Sequence, residues 1–76
     1  MKIEQAFGIV LHRHRTNLRL SQEEVAFQSG LDRTYISLLE RGQRKPTINT
    51  LFSLAGTLKV RPTQLIEEVE KCLSYQ

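Results

Sequence analysis

Residues 21–42 read SQEEVAFQSGLDRTYISLLERG, and their spacing decides the fold. Ser21-Gln22-Glu23-Glu24 is a capping box: the serine hydroxyl accepts the backbone N–H at Glu24, and the Glu24 carboxylate reaches back. A helix therefore starts at Ser21. Val25 and Ala26 form its inward side, and Gly30 stops it, because glycine accepts the left-handed conformation at a helix end. Asp32 caps the next helix. Ile36 and Leu39 are its buried side, Leu38 lies near the edge, and Gly42 is the next stop. Two short helices thus meet at a sharp turn built on Gly30 and Leu31. The second opens with Asp32-Arg33-Thr34-Tyr35, a polar front on a buried back. This is the geometry in which a helix puts its first turns into the major groove of DNA.

The flanking sequence predicts three more helices. From about Ile3 to Leu18, the residues Ile3, Phe7, Val10, Leu11 and Leu18 recur at the helical period, and His12, Arg13, His14 and Arg15 take the other face. Thr47 caps a fourth helix with the apolar stripe Ile48, Leu51, Leu54, Ala55 and Leu58, while Phe52 lies off it. Val60 bridges to a fifth helix opened by Pro62, a suitable first-turn residue. Leu65, Ile66 and Val69 form its apolar face, and the tail Ser74-Tyr75-Gln76 is expected to fray. The expected architecture is all-α: a compact five-helix bundle, one domain over residues 1–76, with its helix-turn-helix core at 21–42.

Composition narrows the function. The chain has 76 residues, a net charge of +3 and one cysteine. A chain this short buries a limited core, so helix packing or a partner subunit must make up the difference. A lone Cys72 forms neither an internal disulfide nor a zinc site, suits a reducing compartment and reads as an ordinary free thiol. No apolar run reaches the roughly 20 residues that span a membrane, and no signal peptide is expected, so a cytoplasmic protein with no membrane partner is expected. The positive charge favours a polyanionic partner. Tryptophan is absent and aromatics are few, which argues against a stacking platform for single strands.

Enzyme chemistry finds no footing. There is no nucleophile–base set, no metal-ligand spacing and no phosphate-cradling glycine loop, so no activity, cofactor or metal is expected. Glu23, Glu24, Glu67, Glu68 and Glu70 read as caps and solvated helix charges. His12 and His14, two residues apart, share no helical face and read as solvated too.

SQEEVA at 21–26, the central Gly30, ISLLERG at 36–42, the loop with Pro46 and LAGTLKV at 54–60 carry a wider likeness. Through them, residues 7–66 resemble the Cro/C1-type helix-turn-helix family of phage repressors and bacterial regulators. LDRTYIS at 31–37 is also similar to the recognition-helix sequence of the controller proteins of restriction–modification systems. The resemblance implies a lambda-repressor-like domain in a bacterial or phage setting, at work on the nucleoid.

It also implies roles. Gln22 matches a glutamine that bonds a phosphate, helped by the helix N-terminus. Arg33 and Thr34 match base-reading positions; arginine can bond guanine O6 and N7 together, and threonine can meet a thymine methyl. Tyr35 has two readings, a contact to base or backbone and a half-buried structural aromatic. Ser37 shares the front face with Arg33 and Thr34, as a contact or as a residue small enough to admit DNA. Arg44, Lys45 and Asn49 match the region that grips the backbone, and Arg41, Gln43 and Thr47 adjoin it. Arg15 and Glu40 match an ion pair that links the first helix to the third, a scaffold role.

One helix in one groove reads few base pairs, so a two-fold dimer on paired half-sites is expected. Phe52, Ile66 and Val69 exceed what four short helices bury. The interface is placed at about 50–70, near Phe52, Val60, Ile66 and Val69; the competing reading folds the fifth helix back and buries them in one subunit. The expected function is sequence-specific binding of double-stranded DNA and transcriptional regulation, with repression or activation open. The acidic Glu23 and Asp32 near the turn resemble residues that contact RNA polymerase in phage-type activators. The alternative is an antitoxin-like module that mainly holds a protein partner. Only about ten residues lie beyond the matched domain, which counts against it.

Overall fold

The computed structural model describes residues 1–75 and contains α1 (Ile3–Asn17), α2 (Gln22–Ser29), α3 (Arg33–Glu40), α4 (Ile48–Leu58) and α5 (Pro62–Ser74). Gln76, expected to fray, lies outside the described residues. Local chemistry sets most of the starts. Ser21 Oγ accepts the Glu24 N–H at 3.0 Å while Glu24 Oε1 accepts the Ser21 N–H at 2.8 Å. Asp32 Oδ2 accepts the Thr34 N–H at 3.0 Å, and Thr47 Oγ1 accepts the Thr50 N–H at 3.0 Å. Pro62 opens α5 in its first turn.

Four of the helices end in the same paired closure. After α2, the N–H of Leu31 returns to the Ala26 carbonyl and that of Gly30 to Phe27; after α3, Gln43 returns to Leu38 and Gly42 to Leu39. This motif requires a left-handed residue, and Gly30 (φ 74°) and Gly42 (φ 71°) supply it. After α1 and α4 the same bonds form with Arg19 (φ 59°) and Lys59 (φ 61°) in that conformation. Arg19 therefore closes α1 at Asn17, one residue short of the expected end.

The core joins Ala6, Phe7, Val10 and Leu11 of α1 to Val25, Ala26, Ile36 and Leu39 of the helix-turn-helix. Leu51, Leu54, Ala55, Leu58, Leu65 and Val69 complete it from α4 and α5. Helix α1 packs on α3 and α5, while α2 packs on α3 and α4. A Cβ on Gly8 would lie 2.5 Å from the Leu39 carbonyl oxygen and 2.6 Å from that of Glu40. Glycine there lets α1 cross the end of α3 in direct backbone contact.

Several expected core positions face out. Ile3 and Leu18, at the two ends of α1, are exposed. Ile48, the first residue of α4, is 69% exposed, and Thr50 is buried in that turn instead. Ile66 also stays exposed, whereas Val69 is only 7% exposed and belongs to the core of its own subunit. Val60 is half-buried against that core. The folded-back reading of α5 thus holds for Val69 but not for Ile66 or Phe52, which remain open. Among the described residues, no helix is long and apolar enough to cross a membrane.

Candidate nucleic-acid interface

Helix α3 is built to present its N-terminal turn. Ile36 and Leu39 are fully buried behind it, and Arg33 and Thr34 are exposed in front. The Asp32 cap holds the first turn in place. Beside it lies the start of α2: Ser21, Gln22, Glu23, Arg15 and Arg33 line one open depression. The fold thus brings the phosphate candidate Gln22 next to the base-reading candidate Arg33, eleven positions along the chain. Gln43, Arg44 and Lys45 are exposed on the following loop and line a second depression with Lys2, Glu4 and Gly42. Arg41 and Asn49 are exposed at its two ends.

One carboxylate organises the junction of three helices. Glu40 accepts Arg15 Nε at 2.6 Å and Arg15 Nη2 at 2.9 Å, a two-pronged bond. It also accepts the Gln22 amide at 3.1 Å and lies 3.1 Å from His12 Nδ1. Arg15 further donates to the Leu20 carbonyl at 2.8 Å. Arg15 and Glu40 therefore meet inside the scaffold, and Gln22 is held by the same group with one amide proton to spare. Burial pushes the Glu40 carboxyl up, but the hydrogen bonds from Arg15, His12 and Gln22 and the Arg15 charge outweigh it and hold it below the ordinary carboxylate range. The hydrogen bond to Glu40 outweighs burial and raises Arg15 still further.

Residues 11–65 match the helix-turn-helix family. The chain belongs to the Cro/C1-type helix-turn-helix family. A similar member is the HTH-type transcriptional regulator y4dJ of Sinorhizobium fredii, 38% identical over 71 residues, or 93% of this chain and 92% of that protein. Among solved structures, the restriction–modification controller protein C.AhdI from Aeromonas hydrophila is 44% identical with a TM-score of 0.79, over 82% of this chain and 94% of its own. The controller protein C.Esp1396I, solved as a tetramer in complex with its natural 35 base-pair operator, is 32% identical with a TM-score of 0.86, over 96% of both chains.

Two side chains of this helix-turn-helix protein are partly withdrawn from solvent beside the exposed first turn of α3. Tyr35 is half-buried: its hydroxyl lies 3.0 Å from Thr50 Oγ1, and the Arg44 guanidinium sits 5.2 Å from its ring centroid. Ser37 is half-buried too, and its carbonyl accepts from Arg41 Nε at 3.4 Å.

His14 departs further from expectation, while His12 stays exposed. His14 Nε2 lies 2.8 Å from Glu68 Oε1, with Arg13 3.4 Å away, so α1 is tied to α5 by charge as well as by apolar contact. Glu68, read as a solvated charge, is a bridging residue. Burial raises its carboxyl, but Gln64, His14 and the charges of His14 and Arg13 lower it more. Sequence spacing hides these contacts, since the partners lie 28 and 54 positions apart. Phe27, which carries no sequence signal for exposure, is 89% exposed on α2.

Proposed function

We propose that this protein is a sequence-specific regulator of transcription that binds double-stranded DNA as a homodimer on a two-fold operator, in the manner of a restriction–modification controller. The observation that carries it is the exposed, polar first turn of α3 on a fully buried back, flanked by Gln22 on one side and Arg44 and Lys45 on the other. Arg33 and Thr34 read base edges, with Tyr35 and Ser37 beside them. Gln22, Arg41, Gln43, Arg44, Lys45 and Asn49 hold phosphates and set the register. Thr47 adjoins them. The likeness to a controller protein solved on its operator supports this assignment.

Phe52 and Ile66, exposed on α4 and α5, and the half-buried Val60 between those helices form the dimer surface, within about residues 50–70. Val69, buried in the core of its own subunit, is not part of that surface. Glu23 is exposed next to Arg33 at the edge of the DNA-facing depression, which suits a contact to RNA polymerase in an activator. Such a protein acts in the cytoplasm, on the nucleoid.

Selection of sites from random duplex DNA tests the function. A two-fold consensus is expected. Arg33→Ala should then weaken binding to that site by about 1–3 kcal/mol and relax one position of it. An unchanged base preference in that variant would remove Arg33 from the reading set.

A further inference from the structure

Thr50 is the buried polar residue of the described chain, 5% exposed beneath the recognition face. Its hydroxyl lies 3.0 Å from Tyr35 Oη and 3.0 Å from Thr47 Oγ1. Thr47 Oγ1 also accepts the Thr50 N–H that caps α4. Three hydroxyls therefore form a chain that runs from α3, through the interior, to the start of α4. Each hydroxyl has one proton to donate. Two of the three protons make the two hydroxyl–hydroxyl bonds when Thr50 accepts on one side and donates on the other. The third is left at one end, on Tyr35 or on Thr47. Arg44 rests over the ring that this chain holds still.

We propose that Thr50 is a positioning residue for DNA recognition: it touches no DNA, and through its hydroxyl it couples Tyr35 on the reading helix to Thr47 beside the phosphate-gripping loop. The inference rests on α3 being the reading helix. With the chain directed from Thr47 through Thr50 to Tyr35, the free proton is presented at Tyr35. In the opposite direction it is presented at Thr47. A DNA acceptor at either end selects the direction, so the two contacts are not independent. The ring position, and with it the Arg44 guanidinium, depends on the same hydroxyl.

The test uses Thr50→Val, which keeps the shape and removes the hydroxyl, Thr50→Ser, which keeps the hydroxyl, Tyr35→Phe, and the Val/Phe double variant. Fluorescence anisotropy on a duplex selected by the parent and on a scrambled duplex gives the preference, and circular dichroism reports folding. Thr50→Val and Tyr35→Phe should each lower the preference about three- to tenfold, the loss of one neutral hydrogen bond. Thr50→Ser should stay near the parent, and the double variant should be no worse than the poorer single variant. A Thr50→Val protein with the parent's preference overturns the inference, as do losses that multiply in the double variant. Should Thr50→Val fail to fold, an unchanged preference in Tyr35→Phe overturns it. A parent that does not distinguish the two duplexes overturns both this inference and the reading of α3, whereas a discriminating parent with an indifferent Thr50→Val variant sinks the inference alone.

Discussion

Glu40→Gln isolates the charge at the junction of α1, α2 and α3 while keeping its shape. The Glu40 side chain is 5% exposed and that of Arg15 12%. Truncating one member of a buried ion pair costs about 3–5 kcal/mol, because the other charge is left without its partner. Here Arg15 keeps its bond to the Leu20 carbonyl, and the amide still offers an oxygen. The low end, about 3 kcal/mol, is therefore expected. A domain of this size has only about 4–11 kcal/mol in total, so the loss is a large share. It corresponds to a fall in Tm of about 12–24 °C.

The pH dependence supplies an internal control. The folded Glu40 carboxyl is depressed, so its contribution is complete above the ordinary glutamate value of about 4.3 and is lost as the pH falls through the lower folded value. Thermal unfolding followed by circular dichroism from neutral to strongly acidic pH should show the gap between parent and variant closing at the acid end, where both side chains are neutral. A Tm drop under about 4 °C at neutral pH, or a gap that persists unchanged into acid, would refute the assignment of the stability to this ion pair.

The remaining expectations concern packing, DNA contact and assembly. Gly8→Ala gains about 1 kcal/mol of helix propensity, but its Cβ would meet two backbone carbonyls of α3; overpacking of about 1–3 kcal/mol at a site that cannot yield makes the net effect a loss of up to about 2 kcal/mol, and a denaturation midpoint above the parent's would contradict it. Arg44→Ala should weaken binding to selected and scrambled duplexes alike and reduce the salt slope by about one; a loss confined to the selected duplex would make it a base contact. Ile66→Asp alters an exposed position, so the fold should keep its stability to within about 0.5 kcal/mol while sedimentation across a dilution series shifts toward monomer. A dimer that survives the change places the interface away from α5.

The helix starts were legible because each depends on groups a few positions apart. Ser21 with Glu24, Asp32 with Thr34 and Thr47 with Thr50 meet whenever the chain turns into a helix there. The stops marked by Gly30 and Gly42 were legible for the same reason. Those at Arg19 and Lys59 were not, since nothing in an arginine or lysine announces a left-handed residue. Such positions are held by the closure bonds around them rather than by the residue's own preference.

The DNA-facing candidates Gln22, Arg33, Arg44 and Lys45 could be named from their motif, but their neighbourhood could not. Periodicity says which face of a helix is apolar, not where that face runs off the edge of its neighbours. Ile3, Ile48 and Ile66 continue apolar stripes yet remain exposed, and Val69 does not. Charge pairing across helices has even less local trace: His14 finds Glu68 because α1 packs on α5, Glu40 collects Arg15 and His12 because α1 crosses α3 where Gly8 admits it, and Gln22 reaches the same carboxylate from α2. By itself the sequence determined five helices, three of them with capping side chains, and a polar turn on a buried back, all consequences of spacing within a few residues. Only the tertiary structure decided which apolar residues stay exposed, which carboxylates tie helices together, and that Tyr35 is tethered through Thr50. Those outcomes depend on how helices cross, and a crossing is fixed by atoms far apart in the chain.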